Sequence, residues 1–166
     1  LTVATESETV RLRGGVRRIE GVGDRLLANG VPLVFHGVNR HETHPDLGRV
    51  FDEVAVRADL SLMKQHGVQA IRTAHQPPHP RFLELADEYG FWVVLECDLE
   101  THGFWEVDWI GNPSDDPVWR DAFLDRVRRT VERDKNHPCV VMWSLGNESG
   151  TGRNLAAMAD WIRRRD

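Results

Sequence analysis

Cysteine is scarce in this 166-residue chain: there are two, Cys97 and Cys139, each inside an apolar run. That excludes a disulfide scaffold and leaves two buried free thiols as the expected state. No stretch reaches 18 consecutive apolar residues, so neither a membrane-spanning helix nor a membrane partner is expected. Basic residues number 21 against 26 acidic ones, a formal charge of −5, and they form no stripe with aromatics between. Nucleic acid is therefore disfavoured as a partner. The run Arg163-Arg-Arg165 reads instead as the solvated end of a helix, favoured there by the helix dipole. A phosphate-cradling glycine fingerprint is missing too, since Gly21-Val-Gly23 precedes the wrong kind of element. No repeat with a period of 20 to 50 residues occurs, which argues against a solenoid. No secretory leader is visible and a cytoplasmic location is expected, with the reservation that the chain begins at Leu1 rather than at methionine.

What the chain has is the balance of a soluble domain, 40% hydrophobic and 28% charged, at a length that can bury a sizeable core. Val10, Leu12, Val16 and Ile19 alternate loosely among polar residues, which suggests the tail of a β-rich element. Asn29-Gly30 between two apolar runs predicts a hairpin, because both central residues of such a turn take positive φ. From there strand and helix alternate. Asp52 caps a helix with Val56, Leu60 and Met63 on one face, and Val68–Arg72 follows as a strand. Pro80 opens a second helix and Phe91–Glu96 makes the next strand. Asp116-Pro117 opens a third helix striped by Trp119, Phe123, Val127 and Val131. Cys139–Leu145 is a buried strand, and a last helix carries Leu155, Met158, Ala159 and Ile162. The pattern predicts a parallel α/β sheet with helices packed outside, either doubly wound or part of a barrel.

The polar residues separate those two. Each predicted strand ends in groups that titrate or donate: Asn39 to His44, Arg72 to His75, Glu96 to His102, and Asn147-Glu148. Convergence on one rim is how a β/α barrel builds its site. Glu148, set between an apolar strand and a glycine-bounded loop, suits a glycosidase acid/base, with Asn147 placed for a sugar hydroxyl. His41 and His75 would donate to hydroxyls, and Arg72 either orients the carboxylates or balances rim charge. Glu100 and His102 with Glu148 offer two carboxylates and an imidazole, a donor set suited to Mg²⁺ or Mn²⁺. A zinc site from His41 and His44 lacks a third ligand at recognised spacing. Trp105, Trp109 and Trp143 are candidate sugar-stacking faces, with ordinary packing the competing explanation.

At these residues the chain resembles the large bacterial β-galactosidases of glycoside hydrolase family 2. The segments that carry the resemblance are Gly37-Val-Asn-Arg-His-Glu42, Ile71-Arg-Thr-Ala-His-Gln-Pro-Pro-His-Pro80, Glu100-Thr-His-Gly103, Arg133-Asp-Lys-Asn-His-Pro138 and Trp143 to Gly150. The resemblance implies a retaining hydrolase of terminal β-D-galactosyl residues on a TIM (β/α)8 barrel. It implies Glu148 as acid/base, Glu100, His102 and Glu148 as Mg²⁺ ligands, and His41, His75 and Asn147 as sugar-binding residues. It further implies that residues 1–20 end a preceding immunoglobulin-like β-sandwich and that residues 21–166 are the first half of the barrel, about four βα units. The nucleophilic glutamate would then lie beyond Asp166, leaving the isolated chain inactive. The expected partners are a β-galactoside such as lactose, the rest of the same polypeptide and further copies in a homo-oligomer. The alternatives are a non-catalytic carbohydrate- or metal-binding or complementing module, and a related β-glucuronidase or β-mannosidase.

Overall fold

The structure is a computed structural model that describes residues 2–11 and 14–166. Leu12, part of the expected N-terminal alternation, and Leu1 lie outside the described residues. Two small antiparallel sheets come first. Strands β1 (Thr2–Ala4) and β2 (Thr9–Arg11) pair with each other; β3 (Ile19–Val22), β4 (Arg25–Ala28) and β5 (Val31–Pro32) form a meander. The β4–β5 turn falls on Asn29 and Gly30, at φ 51° and 80°, as the dipeptide predicts. The expected division at 20/21 passes through β3.

Four parallel strands follow: β6 (Gly37–His41), β7 (Ala70–Ala74), β8 (Trp92–Glu96) and β9 (Val140–Ser144). Between and after them run α1 (Glu53–Gln65), α2 (Pro80–Tyr89), α3 (Arg120–Asp134) and α4 (Arg153–Arg165). The strands neighbour one another in chain order, β6-β7-β8-β9, each hydrogen-bonded to the next. A doubly wound sheet reverses its order at a switch point; an unreversed run is what a barrel wall requires. The punctuation works as expected: Asp52 accepts from the Ala55 amide at the start of α1, Pro80 occupies the first turn of α2, and Gly90 ends it in the left-handed region. The expected stripe on the third helix is shorter than its spacing suggests. Asp116 caps its own 3-10 turn at Val118, α3 begins at Arg120, and Trp119 stays 48% exposed. A cap position stands outside the helical period, so i,i+4 spacing to Phe123 gives it no place in the core.

One sheet face is buried under the helices. Ile71, Val93, Leu95 and Val140 pack with Val56 and Leu60 of α1 and with Phe82, Leu83 and Leu85 of α2. A second cluster joins Phe123, Val127 and Val131 of α3 to Met158 of α4 over Cys97 and Leu99. The opposite face is open: Asn39, Arg72, Val94 and Met142 stand in register across it, and Met142 is 42% exposed. No helix among the described residues is long and apolar enough to cross a membrane.

At the strands' N-terminal end a polar staple ties α2 to β9. Asp87 accepts from the His137 ring at 2.6 Å and from the Cys139 amide at 2.9 Å. The bond to Asp87 raises His137 above its ordinary value of 6.5 despite partial burial. Burial pushes the Asp87 carboxyl up, but the bonds from His137 and Cys139 outweigh it and hold it below 3.8. The histidine's contribution is therefore complete below its unfolded pKa and fades as pH rises through the higher folded one. The aspartate's contribution is complete above its unfolded pKa and is lost on acidification. His137→Gln should cost about 1–3 kcal/mol at pH 5.5 to 6 and less at pH 9. Thermal unfolding of both proteins at the two pH values checks this, and a cost independent of pH would contradict it.

Candidate active site

The C-terminal ends of β6 to β9 gather the polar residues around one fully buried carboxylate, Glu96, the last residue of β8. It lies two residues beyond Val94 on the open face, so it points where the barrel interior would be. Four side-chain bonds saturate it. Arg72 grips both oxygens, Nε to Oε2 at 2.7 Å and Nη2 to Oε1 at 3.0 Å; His75 Nδ1 meets Oε1 at 2.7 Å, and Ser144 Oγ donates to Oε2 at 2.6 Å. Burial pushes the carboxyl up, but these partners, Arg72 foremost, hold it below its ordinary range as an anion.

Arg72 also reaches across to β9, donating from Nη2 to Asn147 Oδ1 at 2.9 Å. Asn147 Nδ2 donates in turn to Glu100 Oε1 at 3.2 Å, and the Asn147 amide donates to the Leu99 carbonyl at 2.8 Å. Both ends of the Asn147 side chain are thus fixed. Glu148 leaves the strand at φ 41°, with its side chain 57% exposed and Oε2 at 2.9 Å from His102 Nδ1. The His41 and His75 rings meet edge to face at 5.0 Å. Beside them opens a cleft of about 300 Å³ lined by His41, Glu42, His75 and Glu100.

Every residue expected at the site therefore stands on one rim: His41, Arg72, His75, Glu100, His102, Asn147 and Glu148. Of the two roles expected for Arg72, balancing rim charge fits the structure: it pairs with Glu96 and also holds Asn147, not Glu100 or Glu148. Two details differ from expectation. His75 commits Nδ1 to Glu96, so in neutral form it offers Nε2 to a ligand as an acceptor; it donates from Nε2 only when protonated. Trp143 packs between both hydrophobic clusters and donates to Asp166 at 2.8 Å, which takes it out of the candidate stacking faces. Trp105 and Trp109 sit edge to face on the loop after β8, Trp105 being 64% exposed. His44 accepts the Asp46 and Leu47 amides at Nδ1 and so braces its own turn. Sequence alone leaves Glu96 as one more rim carboxylate, and Ser144 carries no signal. The clue for Glu96 is that it closes an apolar strand, as Asn147-Glu148 does.

The exposed carboxylates of Glu100 and Glu148 and the His102 imidazole are the groups here that could hold a hard divalent cation. His102 and Glu148 are already adjacent, while Glu100 is turned to Asn147. A tighter trio of ligand-type groups, Asp87, His137 and Cys139, lies at the other end of the strands. Both Asp87 oxygens already accept hydrogen bonds there, and burial pushes the Cys139 thiol far from its thiolate. That trio is a staple, not a metal centre.

The model for glycosyl hydrolases family 2, TIM barrel domain, matches residues 19–166. The chain belongs to that family. Its relatives include a β-galactosidase of Arthrobacter sp. (strain B7), 66% identical over 99% of this chain and 16% of that protein. A β-galactosidase of Vibrio cholerae is 55% identical over 92% of this chain and 15% of its own length. Among solved structures, a β-glucuronidase of Ruminococcus gnavus superposes with TM-score 0.81 at 27% identity, covering 93% of this chain and 26% of that one. The chain thus spans about one sixth of the curated relatives it matches. The family 2 barrel explains the unreversed strand order and the open, half-polar sheet face together.

Proposed function

We propose that the protein carrying this chain is a retaining β-galactosidase that releases terminal non-reducing β-D-galactosyl residues, of lactose among others, with Glu148 as general acid/base. The observation that carries the reading is the exposed Glu148 carboxyl on a β-strand's C-terminal rim, beside a fixed Asn147, in a chain 66% identical to a β-galactosidase. The β-glucuronidase likeness, at 27% identity, supports the fold and the exo-acting class but is far weaker for the sugar.

In this mechanism Glu148 protonates the leaving oxygen and then draws a proton from the attacking water. Asn147, held at both ends, presents its amide to the sugar, and His41 and His75 contact hydroxyls from the cleft beside it. Arg72 and Glu96 transfer no proton; they fix His75 and Asn147. Retention needs a second carboxylate about 5 Å from the first. Glu96 does not suit that part, being fully buried and saturated, and the resemblance to family 2 implies that the nucleophile lies on a later strand of the barrel. The 166-residue chain alone should release no galactoside. Mg²⁺, or Mn²⁺ in its place, would be held by Glu100, His102 and Glu148 and would supply a fixed positive charge beside the acid/base. The two buried free thiols suit a reducing compartment, in keeping with a cytoplasmic enzyme, and a homo-oligomer is the expected assembly.

The test is hydrolysis of nitrophenyl β-galactoside and nitrophenyl β-glucuronide by the full-length protein. Galactoside turnover alone supports the proposal; a preference for the glucuronide transfers the site to that sugar, and turnover of neither favours a non-catalytic module. Chelation with EDTA should lower turnover and Mg²⁺ should restore it. Unchanged turnover after exhaustive chelation would remove the ion from the reading.

A further inference from the structure

Glu148 sits in a backbone region that is costly for any residue with a Cβ, so its surroundings must hold it there. The holding contacts form a buried polar knot between the loop after β8, which carries Glu100 and His102, and the loop after β9, which carries Asn147 and Glu148. Asn112, Ser114, Ser149 and Asn154 are all less than 10% exposed. Asn112 donates from Nδ2 to the Ser149 carbonyl at 2.9 Å and accepts the Ser114 amide at 3.1 Å. Asn154 donates from Nδ2 to the Pro113 and Asp116 carbonyls at 2.8 and 2.7 Å, and its own amide donates to the Ser114 carbonyl at 3.0 Å. Ser149 Oγ donates at 2.9 Å to the carbonyl of Asn147.

Two glycines show how tightly the loops are pressed. A Cβ added at Gly152 would stand 2.1 Å from the Ser114 carbonyl oxygen, and one at Gly146 would stand 2.5 Å from that of Leu99. These contacts flank Glu148 on both sides in sequence. Both asparagines commit their side-chain donors to backbone carbonyls of the opposite loop, the arrangement that fixes one loop pose against another.

We infer that Asn112 and Asn154 are positioning residues that set the carboxyl of Glu148 at the reacting bond; the inference rests on Glu148 being the acid/base. Neither touches the sugar. They act through the Ser149 carbonyl and the start of α4, the two anchor points that follow Glu148 along the chain. Aspartate at either position keeps the size and removes the donors.

The test compares two substrates of the full-length protein. A dinitrophenyl β-galactoside departs without help from an acid, whereas an alkyl β-galactoside needs its leaving oxygen protonated. Asn112→Asp and Asn154→Asp should lower kcat/KM about tenfold to a hundredfold on the alkyl galactoside and less than about threefold on the dinitrophenyl one. Ser149→Ala keeps the carbonyl that Asn112 holds but removes the Oγ bond to the Asn147 carbonyl; it should show the same preference more weakly and reports even if an asparagine variant fails to accumulate. Equal losses on the two substrates in folded variants would mean general destabilisation and overturn the inference. Glu148→Gln is the control. If it discriminates between the substrates and the knot variants do not, the inference alone fails; if it does not discriminate, the acid/base assignment fails and the inference falls with it.

Discussion

Glu148→Gln in the full-length protein should lower kcat for an alkyl β-galactoside by about 10²–10⁴-fold, the usual range for removing a general acid/base. The carboxamide keeps the size of the side chain and can still meet His102, so the strand end and the loop should hold their shape. What is lost is a proton that can leave and return. Substrate binding relies on His41, His75 and Asn147, which the change does not touch, so KM should move little. Added azide should speed the variant on an activated galactoside, because a small anion needs no base to attack the galactosyl-enzyme. Steady-state kinetics with and without azide check the assignment. A fall of less than tenfold on the alkyl substrate would move the role to another rim carboxylate, with Glu100 the first to examine.

Much of the fold was legible because its signals are local. Asp52, Pro80 and Gly90 mark helix ends through bonds made within a few residues, and apolar runs bounded by them mark β7, β8 and β9. Trp119 was misleading because one turn of 3-10 helix puts it out of phase with the stripe it seemed to begin. The rim was legible as a set, since each strand end carries polar residues whatever the register. How its members pair was not. Arg72 lies 24 residues from Glu96 and 75 from Asn147, and those contacts exist only once β7, β8 and β9 align. The polar knot is harder still, since Asn112, Ser114 and Asn154 lie in stretches whose composition signals only loop and helix start. Their burial depends on two loops closing over each other.

Arg72→Met should be strongly destabilising, costing about 3–5 kcal/mol, the range for removing one partner of a buried ion pair. Glu96 has no exposed surface, and Arg72 is its one cationic side-chain partner of fixed charge. Without the guanidinium the carboxylate must either stay ionised with only His75 and Ser144 or take up a proton and lose the bonds that favour the anion. Arg72→Lys restores a charge but not the two-pronged grip, because one ammonium cannot reproduce the parallel contacts of Nε and Nη2 or span from Glu96 to Asn147. It should recover part of the stability and little of the activity. The decisive comparison adds Glu96→Gln to Arg72→Met. If the loss comes from a stranded buried charge, the double variant should be more stable than Arg72→Met alone, a coupling that independent sites would not show. Urea unfolding of the four proteins reads that coupling directly. Additive losses would mean that Arg72 matters for its packed stem rather than for the charge it neutralises. The same comparison separates stability from function: the double variant still lacks the donor that fixes Asn147, so it should regain stability without regaining turnover.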